Sequence, residues 1–251
     1  MILDEIIRRT EKRVARFPAS FPYPARRDHA SLAGAIRSRN GSTAVIAEIK
    51  CASPSRGVIR RNVDMAMMAR ALSGAGCVAI SVLTEPYWFG GSARDIAQVK
   101  DAVTLPVLRK DFIIDARQLE ETRSLGADAV LLIAAVLQDR LPEFVDESFD
   151  AGIEPLVEVH TEDEAKLALS TRAAIIGINN RNLATLAIDR YSTRRLSPKI
   201  RSSGRLVVSE SGMRSADDVR ELKPYCDAFL IGSSIMSHQH PSKKLEEFVC
   251  A

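Results

Sequence analysis

The chain has 251 residues, 46% hydrophobic and 27% charged, with a mean hydropathy of -0.05. That excludes disordered, collagen-like and disulfide-scaffold classes and leaves one α/β barrel or two smaller domains. The net charge of +3 is uneven: residues 1–43 hold 9 Lys and Arg against 4 Asp and Glu, and the other 208 residues hold 26 against 28. With 5% aromatic residues and no RNP-like or zinc-finger pattern, this argues against a nucleic-acid face and for a local anion site.

Residues 1–43 come first, as an extension in which Leu3, Ile6, Ile7 and Val14 form a partial helical stripe ahead of a proline-punctuated run at 17–24. A short helix and an extended lid over one mouth of the following domain account for both. Eight aliphatic runs bounded by turn signals then predict strands at 44–50, 78–84, 106–110, 129–134, 154–160, 174–179, 205–210 and 227–232. Their spacing of about 26 residues fits a strand, a helix and two short loops. Helix-patterned stretches at 64–75, 93–102, 115–125, 161–170 and 215–222 open at or near capping residues. The near-continuous apolar runs at 130–133 and 175–178 suit parallel strands buried on both faces. The segment 181–203 is longer than a simple crossover and leaves room for an extra helix or loop. The fold class read from this pattern is α/β: a (β/α)8 TIM barrel over 44–251 behind an extension at 1–43, in a single domain overall. An open doubly wound sheet is the competing architecture.

Cys51, Cys77, Cys226 and Cys250 form no C-x-x-C pair, and His238 and His240 have no partner cysteine nearby, so a reducing compartment and no metal site are expected. Asp4 and Glu5 interrupt any secretory signal, and the longest apolar run, 129–137, is too short to span a bilayer. A cytoplasmic protein without a membrane partner is the expectation.

Barrel strands point every second side chain inward and carry their chemistry at their C-terminal ends. In the first run Ile46, Glu48 and Lys50 share a face, which brings a carboxylate and an ammonium about 7 Å apart along the strand into the mouth. Lys110 ends the third run, Glu158 lies in the fifth, Asn179 ends the sixth, and Glu210 ends the seventh ahead of Ser211 and Gly212. Any one of these is an ordinary strand-end residue facing solvent. Together they form a partly desolvated cup of two lysines and three glutamates, the setting in which such groups become proton donors and acceptors. A second constellation suits phosphate: Ser-Glu-Ser-Gly at 209–212 and Ile-Gly-Ser-Ser at 231–234 close the last two runs, where barrel enzymes build a phosphate cradle. A small polar loop, Ala52-Ser53-Pro54-Ser55, follows Lys50.

The strings IAEIKCASPSRG from Ile46, TEPYWFGGS from Thr84, VLRKDFI from Val107, GADAVLLI from Gly126, EPLVEVH from Glu154, GINNRNL from Gly177, VSESGM from Val208 and FLIGSSIM from Phe229 follow one another in the order of a known family. By them the chain resembles the indole-3-glycerol phosphate synthases of tryptophan biosynthesis. The resemblance implies a (β/α)8 barrel whose N-terminal extension helps cover the active site. It also implies closure of 1-(o-carboxyphenylamino)-1-deoxyribulose 5-phosphate to indole-3-glycerol phosphate with loss of carbon dioxide and water, without cofactor or metal.

On that resemblance Lys110 is the general acid for cyclisation, with Glu48 as its paired neighbour, while Lys50 and Glu158 take part in closure and dehydration. The division of dehydration among Lys50, Glu48 and Glu158 stays open. Asn179, Glu210 and Ser211 complete the polar shell, and Arg181 faces the substrate as an anion-binding group. Ser211, Gly212, Gly232 and Ser233, with Lys50 and Ser53 opposite, would hold phosphate; Pro54, Phe89, Phe112, Leu131 and Leu183 would wall the aromatic ring. Cys51 and Arg56 depart from the family pattern, which commonly has basic residues at both positions and lysine at the second. The implied partner is a small phosphorylated substrate, with no nucleic acid or membrane, and the protein is a monomer or weak homodimer. A neighbouring phosphosugar barrel such as phosphoribosylanthranilate isomerase is the alternative. The basic extension has a plausible task in steering an anionic substrate.

Overall fold

Eight parallel strands close into a barrel in the computed structural model, which describes residues 2–19, 21, 29–39 and 41–251. They are β1 (Val45–Ile49), β2 (Ala79–Leu83), β3 (Val107–Lys110), β4 (Ala129–Ile133), β5 (Glu154–Val159), β6 (Ile175–Asn179), β7 (Leu206–Glu210) and β8 (Ala228–Ile231). Each pairs with its neighbours in sequence, and β8 returns to β1 with Phe229 opposite Val45 and Ile231 opposite Ala47. Every predicted strand agrees with its observed one to within a residue at either end. Alternation divides the core into two layers. Val45, Ala47 and Ile49 of β1 pack outward with the helices, whereas Ile46 packs inside the barrel with Leu108, Leu131, Leu156 and Val208. Glu48, two residues beyond Ile46, therefore faces inward as the period of two requires.

The helices of six residues or more are α1 (Ile2–Val14), α2 (Leu32–Arg37), α3 (Met65–Gly74), α4 (Arg94–Ala102), α5 (Arg117–Ser124), α6 (Leu141–Asp150), α7 (Glu162–Leu169), α8 (Tyr191–Ser202), α9 (Ala216–Leu222) and α10 (Pro241–Val249). Caps set several of their starts: Asp64 accepts the Met67 N–H, Thr161 accepts that of Glu164, and Ser215 and Asp218 form a capping box. Each such cap is worth about 1 kcal/mol. The sequence reading passed over α6, whose buried Leu141, Phe144, Val145 and Ser148 repeat at helical spacing behind Pro142. The long segment 181–203 contains α8, preceded by a loop that an Arg181 to Ile188 bridge closes.

The extension reaches both ends of the barrel. At the C-terminal rim, Arg13 of α1 donates to both carboxylate oxygens of Asp111, the residue after β3, at 2.9 Å each. At the N-terminal rim, Asp128 accepts the Ala30 N–H, and Glu154, the first residue of β5, accepts from Ser31 and from the Ala33 N–H. The extension thus engages one rim with α1 and the other with the segment that opens α2. The proline-punctuated run falls partly outside the described residues. Among the described residues, no helix is long and apolar enough to cross a membrane.

Candidate active site

A cavity opens where the strands end, and every residue given a catalytic or substrate-binding role by the resemblance lines it: Glu48, Lys50, Ser53, Pro54, Phe89, Lys110, Phe112, Leu131, Glu158, Asn179, Arg181, Leu183, Glu210, Ser211, Gly212, Gly232 and Ser233. Four of them, Glu48, Lys110, Glu158 and Glu210, come from the odd-numbered strands, which is how barrels compose one layer of inward side chains. The Lys110 ammonium bridges two carboxylates, 2.8 Å from Glu210 Oε2 and 3.1 Å from Glu158 Oε2. Lys50 Nζ lies 2.5 Å from Glu48 Oε1. The direct pairing of Lys110 with Glu48 expected from the family resemblance is therefore not the one formed. Glu48 is occupied by Lys50 and acts on Lys110 through space, while Lys110 reaches across to β5 and β7.

The three carboxylates are 2% exposed, so the pairs position charge rather than add much stability. Burial works against the Lys110 ammonium, but Glu210, Glu158 and Glu48 outweigh it and hold its pKa well above the usual lysine range. The two carboxyls that share Lys110 separate. Burial and the neighbouring Glu158 push Glu210 up to about 7 against the pull of Lys110. Glu158 is held down to about 2, because Lys110, His160 and a hydrogen bond from Asn179 overcome burial. One carboxyl of the pair is thus driven toward its protonated form while the other is driven toward its ionised form. Glu210 Oε1 has no hydrogen-bond partner in the protein.

Two glycines make room for these acids. A Cβ on Gly177 of β6 would stand 2.2 Å from Glu210 Oε1, and one on Gly232 would stand 2.2 Å from Glu48 Oε1. Beside the carboxylates, Ser211 adopts a positive φ of 64°, unusual for serine, and the Ser234 hydroxyl donates to the Met213 carbonyl, tying together the loops after β7 and β8. Ser53 is buried with its hydroxyl unpartnered. Arg181 donates to the Leu186 carbonyl at 2.8 Å, and its pKa is lowered by burial and by the nearby Arg56 guanidinium. Two cations crowded at one wall create a field that favours an anion.

The apolar wall is held just as firmly. Glu85, 1% exposed, accepts the backbone N–H groups of Tyr87, Trp88 and Phe89 and so fixes the turn that presents Phe89. The Phe89 and Phe112 rings lie 6.3 Å apart, inclined at 39°. Asp111, bound by Arg13, Arg109, Thr84 and the Phe112 N–H, anchors the corner between Lys110 and Phe112. The sequence reading did not place Ile2, Leu3 and Ile6 of α1, or Leu186 and Ile188 of the loop before α8, in this wall. Apolar residues within an otherwise polar loop were the available signal for the last two.

A family model described as indole-3-glycerol phosphate synthase matches residues 3–248. The indole-3-glycerol phosphate synthase of Aquifex aeolicus is 47% identical over 210 residues, 82% of this chain and 81% of that protein. That of Caldanaerobacter subterraneus subsp. tengcongensis is 43% identical over 253 residues, 99% and 98% of the two chains. Among solved structures, tryptophan synthase from M. tuberculosis in its open form aligns with a TM-score of 0.64 at 14% identity, covering 88% of this chain and 98% of that one. Thiamine phosphate pyrophosphorylase from Pyrococcus furiosus aligns with a TM-score of 0.62 at 16% identity, covering 87% and 96%. At these identities the two structures speak for the fold alone.

Proposed function

The chain belongs to the indole-3-glycerol phosphate synthase family, and from that premise we propose how its cavity carries out the family's decarboxylative ring closure. The protein is a carboxy-lyase of tryptophan biosynthesis that acts on a phosphorylated small molecule. Its substrate is 1-(o-carboxyphenylamino)-1-deoxyribulose 5-phosphate, and its products are indole-3-glycerol phosphate, carbon dioxide and water.

The arene carbon that bears the carboxylate attacks the ribulose carbonyl carbon while Lys110 delivers a proton to the carbonyl oxygen. Loss of carbon dioxide returns its electron pair to the ring. The new hydroxyl then leaves as water with a proton from Lys50, and Glu158, the ionised carboxylate of the pair, takes the proton that the indoline gives up. Glu48 directs Lys50. Glu210 holds a proton near neutral pH and stands 2.8 Å from Lys110, close enough to return the proton Lys110 has spent. Asn179 orients Glu158. Ser211, Gly212, Gly232, Ser233, Ser53 and Lys50 take the phosphate, Arg181 takes the substrate carboxylate, and Pro54, Phe89, Phe112, Leu131 and Leu183 hold the ring. The extension at 1–43 closes the mouth of the barrel at 44–251 through Ile2, Leu3 and Ile6. The enzyme works in the cytoplasm as a monomer or weak homodimer, without nucleic acid or membrane.

The observation that carries the reading is the Lys110 ammonium held between two buried carboxylates in the cavity that also contains the two serine-glycine loops. Lys110→Ala is expected to lower kcat, followed by the fluorescence of the indole product, by about 10²- to 10⁴-fold. Near-normal turnover would overturn the assignment.

A further inference from the structure

His160 follows β5 and does not line the cavity, yet its ring stands between two acids. Nδ1 is 3.2 Å from Glu164 Oε2 on α7 in a hydrogen bond, Nε2 is 3.4 Å from Glu158 Oε1 in a charge contact without a hydrogen bond, and the side chain is 12% exposed. Glu164 is itself held in place. Its Oε2 accepts the His160 backbone N–H at 2.7 Å, and its own N–H donates to Thr161 Oγ1 at 3.2 Å. Glu158 gives Oε2 to Lys110, which leaves Oε1 facing the imidazole. A neutral ring protonated at Nδ1 would turn the Nε2 lone pair toward that oxygen. Only an imidazolium sets a positive charge against both acids, and Nε2, which has no hydrogen-bond partner, meets Glu158 through charge alone.

We propose that His160 is a positioning residue: as an imidazolium between Glu164 and Glu158, it keeps Glu158 ionised and turned to Lys110, and so leaves the shared proton on Glu210. This rests on the reading of Glu158 and Lys110 as reacting groups. The charges acting on the ring come from α7, β5 and β7: burial opposes its protonation, but Glu164, Glu158 and Glu210 outweigh it and raise its pKa above the ordinary histidine value. The catalytic carboxylate thereby gains a cation that never touches substrate.

The test begins with the unaltered protein. The chain has four histidines, so imidazole ¹⁵N–¹H NMR can follow each one, with His160 assigned by its loss in His160→Gln. Both ring nitrogens of His160 are expected to be protonated at neutral pH, with a midpoint above the ordinary histidine value. In H160Q the acidic limb of the kcat–pH profile is expected to move up by about one pH unit, equivalent to about 1.4 kcal/mol. At the pH where the wild type runs at half its plateau, kcat then falls about fivefold, with the gap closing toward alkaline pH and KM little changed. A neutral His160 at pH 7, a superimposable profile, or a fall in kcat equal at every pH would overturn the proposal. If H160Q does not fold, the wild-type titration decides alone. Glu158→Gln separates the two readings: near-normal kcat in E158Q sinks the role of Glu158, whereas a large loss in E158Q with an unmoved H160Q profile sinks only that of His160.

Discussion

Gly177→Ala is the substitution that most directly tests whether the Lys110–Glu210 contact matters. Gly177 lies on β6, opposite Glu158 on one side and Val208 on the other. A methyl there would meet Glu210 Oε1 at 2.2 Å and Leu156 Cδ2 at 2.8 Å. Ordinary contact requires the carboxylate to retreat by about 1 Å or more. Glu210 is enclosed and bonded to Lys110 at 2.8 Å, so a retreat of that size breaks or turns the hydrogen bond. Misplacement on this scale costs on the order of 10²-fold in rate, and overpacking costs about 1–3 kcal/mol of stability. Initial rates from product fluorescence and thermal unfolding read the two effects separately. Gly74→Ala is the control, since its Cβ would meet nothing within 4 Å at the end of α3. It is expected to leave kcat alone and add up to about 1 kcal/mol of stability. A Gly177→Ala enzyme with wild-type kcat and only a lowered Tm would refute the reasoning.

Arg13→Ala removes a two-oxygen contact to fully buried Asp111. It is expected to cost about 3 kcal/mol, to raise KM more than kcat as Ile2, Leu3 and Ile6 lose their seat, and to speed amide exchange across α1. Glu210 has a folded pKa of about 7 against 4.5 for the free side chain, so the fold favours its protonated form and stability falls as pH rises through that interval. Glu210→Gln is expected to abolish this fall, about 3 kcal/mol at most, in denaturant titrations at pH 4.5 and pH 8. Arg8 and Arg9 are paired with Glu5, and Arg9 also lies over the Tyr87 and Trp88 rings. Arg56→Gln is therefore expected to flatten the salt dependence of kcat/KM more than Arg8→Gln does.

The strands were legible because parallel barrel strands are apolar on both faces and end in polar residues, as 129–133 and 175–179 do. The inward set Glu48, Lys110, Glu158 and Glu210 followed from the period of two once a barrel was assumed. Their partners did not. Lys110 meets residues 48 and 100 positions away, and no local pattern distinguishes those contacts from one with Glu48. The six residues of α2 are too few for a helical period to show. The clasp of α1 on Asp111 joins positions 98 apart and was equally out of reach. His160 closed a predicted strand without signalling a role, because its significance lies in Glu164, one helical turn further on.

A crystal structure with indole-3-glycerol phosphate bound tests the central assignment most directly. The phosphate is expected on the backbone N–H groups of the Ser211-Gly212 and Gly232-Ser233 loops, the indole against the wall that Phe89 and Phe112 form, and Lys110 within hydrogen-bond reach of the glycerol hydroxyl side of the product. Phosphate bound away from both loops, or an indole outside the Phe89–Phe112 wall, would contradict it.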